Sequence, residues 1–173
     1  MAIHPFLKHI FVVRHGLYSS DYPEKLIWGW RLQAQELGEL IKNFHYSKKW
    51  ITRVISSSLR RCIETAEIIA DVPQVGRDIY VSSFLEKEPE NFLETLQEQD
   101  TNTLILVGNH NFVRDFPGLV REKVFGEQLK KDSYGQIVLD LPYGYCQGVY
   151  FDLAAKKYLP LPEGIKPTKV NSP

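Results

Sequence analysis

The chain has 173 residues, a length typical of one domain whose core needs no disulfide or metal support. Apolar residues make up 43% of it and charged residues 24%, which excludes a disordered chain, a collagen-like chain and a disulfide scaffold. Because 21 basic residues balance 21 acidic ones, the bulk charge favours binding neither to nucleic acid nor to an anionic membrane surface.

The location that the sequence indicates is the cytoplasm. Cys62 and Cys146 are too few and too far apart for a disulfide framework or a CxxC metal site. The first 16 residues contain no long apolar run followed by a small-residue cleavage site, so no signal peptide is expected. No apolar stretch approaches the ~18 residues that a membrane span requires.

Strand-like and helix-like segments alternate along the first part of the chain. Residues 10–13 (IFVV) form a β-branched and aromatic run that predicts a buried strand. The apolar positions 37, 40, 41 and 44 have the spacing of one buried helix face. Val54-Ile55 predicts a second strand, and the serines at 56–58 are expected to cap a helix marked by apolar residues at 59, 63, 66 and 70.

The same alternation continues to about residue 119. Residues 92–96 predict a third helix, entered through Glu88-Pro89-Glu90. Residues 103–107 (TLILV) are the most apolar strand candidate, and they stop at Gly108-Asn109-His110. A helix is expected after this strand, and Pro117-Gly118 is expected to break or restart it.

The C-terminal part predicts two more strands and a tail. Residues 136–141 and 148–153 are expected to pair around a turn at 142–144. Residues 158–173 hold four of the ten prolines and predict a proline-rich tail, which leaves residues 1–157 as a single domain. The order of strands and helices is that of an α/β fold with a largely parallel central sheet.

Three predicted strands end in chemically active residues: Arg14-His15-Gly16, then residues 57–61 (SSLRR), then Gly108-Asn109-His110. Parallel neighbouring strands would bring these ends to one crevice, where ligands collect in such folds. Arginine forks match phosphate oxygens, a helix N-terminus adds positive potential, and a neutral imidazole is a competent nucleophile. The sequence therefore indicates a site for a phosphoryl group.

Other phosphate chemistries lack their motifs. There is no GxxxxGK[ST] loop, no DxD pair after the first strand, and no arginine six residues after either cysteine. HExxH and GxSxG are also missing, so neither a zinc protease nor a serine hydrolase of that type is expected. Histidine chemistry remains, and no metal or cofactor is expected to take part.

These motifs resemble those of the histidine phosphatase superfamily, which has the phosphoglycerate-mutase-like fold. The family's RHG is matched by Arg14-His15-Gly16, and its S-x-L-x-R-A-x-x-T-A segment is matched by residues 57–66, with Arg61 rather than Arg60 as the phosphate arginine. Its second histidine is matched by His110, and Gln33-Ala34 resembles a pair in its first long helix. In length the chain is similar to the SixA-type phosphohistidine phosphatases.

The resemblance implies a three-layer α/β sandwich, with a mostly parallel sheet flanked by helices. It implies that His15 is the nucleophile and that Arg14, Arg61 and His110 hold the phosphoryl oxygens. It also implies that Gly16 and Ser57 contribute to substrate binding.

A phosphohistidine protein is the expected substrate, and a small phosphoester such as a sugar phosphate is the alternative. A binding module without turnover is an alternative of another class, suggested only by Asn109 and Asn111 beside His110. These asparagines depart from the small residues usual in the family. Leu17 and Tyr18 likewise stand where mutases carry glutamate and serine.

The sequence offers two carboxylates as the residue that protonates the leaving group. The family often supplies a carboxylate between the second helix and the last active-site strand, and the register places Glu86 there. Glu88 is the alternative, although its proline neighbour suggests that it begins a helix. A third possibility is that both carboxylates lie in a solvated loop.

Overall fold

A computed structural model describes residues 3–18, 28–45, 52–73, 75, 78–133 and 147–161. Within these residues, six strands form one sheet in the order β3-β2-β4-β1-β5-β6. The strands are β1 His9–Arg14, β2 Thr52–Ser56, β3 Ile79–Val81, β4 Thr103–Gly108, β5 Gly148–Asp152 and β6 Lys157–Pro160. The pairs β1–β4, β2–β4 and β2–β3 are parallel, whereas β5 and β6 are antiparallel to their neighbours.

Helices cover both faces of the sheet, because the buried strands are apolar on both sides. In β1, Phe11 and Val13 pack toward α1 (Trp28–His45) and α2 (Arg60–Ala70). The alternate residues Ile10 and Val12 belong to the opposite core. That core is completed by α3, α4 and α5, which span Phe84–Lys87, Pro89–Thr95 and His110–Leu119. The predicted three-layer α/β sandwich is confirmed. None of the described helices is long and apolar enough to cross a membrane.

The predicted break at Pro117-Gly118 is wrong. Helix α5 runs through Pro117 to Leu119 and continues as a π-helical segment, Val120–Phe125. Phe112 and Phe116 stack at 4.8 Å in the core, and this burial outweighs the one backbone hydrogen bond that proline removes. The chain turns away only at Gly126, whose φ of 76° suits glycine.

The end of the described chain is part of the sheet. Strand β5 lies within the predicted 148–153, but its described partners are β1 and β6, while residues 136–141 lie outside the described part. Gly148 passes so close to β1 that a Cβ would lie 1.6 Å from the carbonyl oxygen of Val12. The predicted tail boundary at Tyr158 falls inside β6, and Leu161 just after it is buried.

The predicted serine cap on α2 is also wrong. The N-cap residue is Leu59, which has no capping side chain. The hydroxyl groups of Ser57 and Ser58 donate hydrogen bonds to Glu86 of α3, and Ser57 Oγ also accepts one from the N–H of Leu59 at 3.2 Å. The serines thus tie the turn before α2 to a carboxylate that their sequence distance does not reveal, and they do not cap the first helical turn.

The strand register brings together the strand ends that carry the predicted site residues. Arg14 of β1 pairs with Gly108 of β4, and Ser56 of β2 pairs with Val107 of β4. The three parallel strands thus end at nearly the same level, and the residues that follow them share one edge of the sheet.

Candidate active site

An open polar cavity of about 270 Å³ lies at the carboxyl ends of β1 and β4. Among the described residues it is lined by Arg14, His15, Tyr18, Arg61, Asn109, His110 and Asn111. Four of the predicted site residues are therefore brought together from three separate segments of the chain. The lining contains two guanidinium groups and two imidazoles, a composition suited to an anion.

His15 is buried, with 4% of its surface exposed, and both ring nitrogens have partners. Its Nδ1 lies 2.7 Å from the carbonyl oxygen of Gly16, which can only accept. The Nε–H of Arg61 donates toward His15 Nε2 at 3.2 Å. These partners assign the proton to Nδ1 and leave a lone pair on Nε2.

Burial is the main reason why the pKa of His15 is lowered to about 4. The hydrogen bond to the Gly16 carbonyl raises the pKa in part, while the positive fields of Arg61, Arg14 and His110 lower it further. The imidazole is therefore neutral at pH 7, the form in which it is nucleophilic.

The groups around His15 form a positively charged cradle. Arg14 ends β1, Arg61 lies in the first turn of α2, and His110 is the first residue of α5. Burial lowers the pKa of His110, and so do Arg14 and Arg114, whereas Asp115 raises it. Asn109 caps α5, since its side-chain oxygen accepts a hydrogen bond from the backbone N–H of Phe112 at 2.9 Å.

Gly16 supports the site through its backbone and is absent from the described cavity lining. Its N–H donates to Thr65 Oγ1 at 3.1 Å, and that hydroxyl donates to the Arg61 carbonyl at 2.7 Å. The fully buried side chain of Thr65 therefore ties the loop after β1 to the first turn of α2, which carries Arg61. The threonine of the matched motif was the sequence signal for this link.

Ser57 and Glu86 lie next to the cavity, outside its described lining. Glu86 Oε1 accepts hydrogen bonds from Ser57 Oγ at 3.2 Å, from the Ser58 N–H at 2.9 Å and from the Ser58 hydroxyl. Glu86 is therefore a bonded residue of α3 rather than part of a solvated loop. The exposed side chain of Glu88 accepts a hydrogen bond from Asn91.

Neighbouring arginines on α2 have different surroundings. Arg61 reaches His15, whereas the exposed Arg60 donates to Glu64 one helical turn away. This difference agrees with the motif alignment, which selects Arg61 for phosphate.

The sequence assigned no role in the site to Tyr18. Its ring centroid lies 4.6 Å from Arg61 Cζ, and its ring meets that of His15 edge-on at 5.9 Å and 70°. A lone tyrosine two residues after RHG carries no periodic or motif signal that would reveal these contacts.

The described residues contain no cluster of three or more histidine, cysteine, aspartate or glutamate side chains suited to hold a metal ion.

The buried His15 predicts a pH dependence of stability. In the unfolded chain the imidazole has its ordinary pKa of 6.5, so between pH 6.5 and 4 the unfolded state binds more protons than the folded state. Because of His15, the free energy of unfolding should fall by about 3 kcal/mol across this range. Below pH 4 this His15-dependent decrease should level off, since the imidazole is then protonated in both states.

Urea unfolding of the wild type and of His15→Asn at several pH values measures this contribution. The variant should lose markedly less stability than the wild type between pH 6.5 and 4. If the free energy of unfolding changes equally with pH in the two proteins, the conclusion that His15 is buried and neutral would be wrong.

Comparison with known proteins relates the fold to solved structures. Neither the family models nor the curated protein sequences that were compared with the chain match it significantly. Among solved structures, the ecdysone phosphate phosphatase from Bombyx mori, in complex with tungstate, matches with a TM-score of 0.62 and 16% identity over 96% of each chain. The protein histidine phosphatase SixA, complexed with tungstate, matches with a TM-score of 0.57 and 16% identity, covering 86% of this chain and 99% of that one.

Phosphoglycerate mutase from Plasmodium falciparum matches with a TM-score of 0.50 and 15% identity over 96% of each chain. At these identities the likeness establishes the fold, and it extends over nearly the whole chain. The protein thus has the phosphoglycerate-mutase-like fold of the histidine phosphatases, as the order and spacing of its motifs predicted.

Proposed function

We propose that the protein is a phosphatase that works through a covalent phosphohistidine on His15 and uses no metal. The observation that carries the proposal is the buried, neutral imidazole whose Nε2 lone pair lies beside Arg61 in a cavity shared with Arg14 and His110. A nucleophile and a set of phosphate-binding donors are the two parts that this chemistry needs.

In the proposed first step, the Nε2 lone pair of His15 attacks phosphorus in line with the leaving group. The N–P bond forms as the bond from phosphorus to the leaving group breaks, and the leaving group departs with that electron pair and takes up a proton, for which Glu86 is the proposed donor. Arg14, Arg61 and His110 stabilise the charge on the equatorial oxygens. The Nδ1–H···O bond to Gly16 keeps the attacking tautomer in place while positive charge develops on the ring.

In the second step, water attacks the phosphohistidine and releases inorganic phosphate. The electron pair of the N–P bond returns to Nε2, and the free enzyme is restored. In the free protein the Nε–H of Arg61 donates to the lone pair of His15 Nε2, and the attack on phosphorus uses that lone pair. In each cycle Arg61 must therefore exchange this hydrogen bond for one to a phosphoryl oxygen.

A phosphohistidine side chain on a protein is the proposed substrate. The cavity is open, and the proposed acid Glu86 lies outside its described lining, where it accepts three hydrogen bonds. An imidazole is expelled more readily than an alkoxide, so it needs this acid less. The proposed cytoplasmic location and the expected absence of nucleic-acid and membrane partners stay predictions from the composition.

A small phosphoester is the alternative substrate, because one solved structure with this fold is a phosphatase of ecdysone phosphate. A binding module without turnover has weaker support. Asn109, which suggested it, caps α5, and the imidazole and both arginines of the proposed mechanism are present in the cavity.

The first test is the trapped intermediate. Brief exposure to a labelled phosphorylated substrate should place acid-labile, base-stable phosphate on His15, identified by peptide mapping. His15→Ala should abolish both labelling and turnover, whereas the matched variant His4→Ala should retain both. Because His15 is buried, circular dichroism must show that the variant is folded when activity is lost. Phosphate found on serine or cysteine would overturn the mechanism.

The two adjacent arginines provide the second test. Arg61→Ala should lower kcat/KM by about 100- to 1,000-fold, the effect of losing one preorganised donor to the transition state, or about 3 kcal/mol. Arg60→Ala is the matched control and should change kcat/KM little, since Arg60 lies on the exposed face of α2 with Glu64. Equal losses would show that the assignment of the phosphate arginine is wrong.

The third test concerns Glu86 as the proposed leaving-group acid. Glu86→Gln keeps an acceptor oxygen for Ser57 and Ser58 but cannot donate an acidic proton. Hydrolysis of an alkyl phosphate should therefore slow far more than hydrolysis of a phosphohistidine peptide or an activated aryl phosphate.

Glu88→Gln is the control for the third test and should not discriminate among the three substrates. Equal losses for Glu86→Gln with all three would remove it from the acid role and leave it as a support for the turn before α2.

A further inference from the structure

We propose that Tyr18 is a positioning residue that holds the guanidinium group of Arg61 in place for the reaction; this inference rests on the proposed function. Tyr18 is half-buried in the wall of the cavity. Arg61 Cζ lies 4.6 Å from the centroid of its ring, within the range of a cation–π contact. The Tyr18 ring also meets the His15 ring edge-on, so one aromatic side chain contacts both the nucleophile and its arginine.

Arg61 needs such a support because its side chain is long and its role depends on position. The side chain has several rotatable bonds, and fixing them has an entropic cost of up to about 2 kcal/mol. Its backbone is fixed by α2 and by the Thr65 hydroxyl on its carbonyl. The hydrogen bond to His15 Nε2 holds the guanidinium in the free protein, but that bond must be given up when phosphorus approaches. The Tyr18 contact does not have to be broken at that point.

An aromatic ring has an advantage over a carboxylate as a partner here. A carboxylate would hold Arg61 through its N–H groups, which are the groups that phosphate needs, and would cancel its charge. A ring placed over the guanidinium interacts with the positive charge through its π face and leaves the in-plane N–H donors available. Tyr18 thus restricts Arg61 without competing with the anion.

Two substitutions and one matched control test this role. Tyr18→Leu removes the ring, and kcat/KM should fall by roughly 5- to 30-fold, the range expected for losing a partly desolvated cation–π contact. The loss should be similar for an aryl phosphate and a phosphohistidine peptide, because Arg61 binds the phosphoryl group common to both. Tyr18→Phe keeps the ring and should restore most of the activity.

Tyr80→Leu is the control for loss of an aromatic–arginine contact elsewhere. Arg53 Cζ on β2 lies 5.0 Å from the centroid of Tyr80 on the edge strand β3, and both residues are outside the described cavity lining. This variant should keep wild-type kcat/KM. A loss in Tyr80→Leu equal to that in Tyr18→Leu, or no rescue by Tyr18→Phe, would overturn the specific role of the Tyr18 ring.

Nuclear magnetic resonance separates failure of this inference from failure of the proposed function, because it requires no turnover. The ¹⁵N-labelled Arg61 Nε–H should show slowed exchange with water in the wild type and Tyr18→Phe, and faster exchange in Tyr18→Leu. The His15 pKa should also rise in Tyr18→Leu, because Arg61 lowers it together with Arg14 and His110. Circular dichroism verifies that each variant is folded.

The outcomes are distinct. An unchanged Arg61 signal and an unchanged His15 titration in folded Tyr18→Leu would overturn the positioning role, whatever the activity. A changed Arg61 signal in a protein whose wild type neither hydrolyses phosphorylated substrates nor becomes labelled on His15 would overturn the proposed function and support the contact.

Discussion

The burial of one imidazole between two guanidinium groups is the constraint on which the rest of the site depends. His15 is almost fully removed from water, and Arg14 and Arg61 both act on its titration. Protonating this ring would add a third positive charge to a poorly hydrated region. The positive charge of the cavity therefore stays on the arginines, while the histidine keeps the lone pair that the proposed mechanism requires.

The parallel register of the sheet makes this arrangement possible. Arg14 and Gly108 are direct partners on β1 and β4, so His15 and His110 follow strands that end at the same level. The start of α2 is supplied by β2, which pairs with β4 in the same sheet. Three chain segments far apart in sequence thus meet at one edge of the sheet, and the buried strands fix them more rigidly than surface segments would.

The sequence predicted the elements whose signals are local and repeated. The apolar runs in β1 and β4 and the motif order predicted the sheet, its layers and the meeting of His15 with Arg61. Other features were missed for identifiable reasons. Strand β3 has three residues and exposes Tyr80 and Val81, so it has no buried pattern. The bonds from Ser57 and Ser58 to Glu86 and the contacts of Tyr18 depend on partners that only the folded chain brings near.

The turn from Ser57 to Arg61 has a further consequence for charge. At its start, Ser57 and Ser58 supply the donors that Glu86 accepts, and at its end Arg61 reaches into the cavity. The hydroxyl groups of Ser57 and Ser58 donate to Glu86 at one end of the turn, and Arg61 contacts the Tyr18 ring and His15 Nε2 at the other. A single turn thus holds a carboxylate at its start and a guanidinium at its end, and the positive end is the one that lines the cavity.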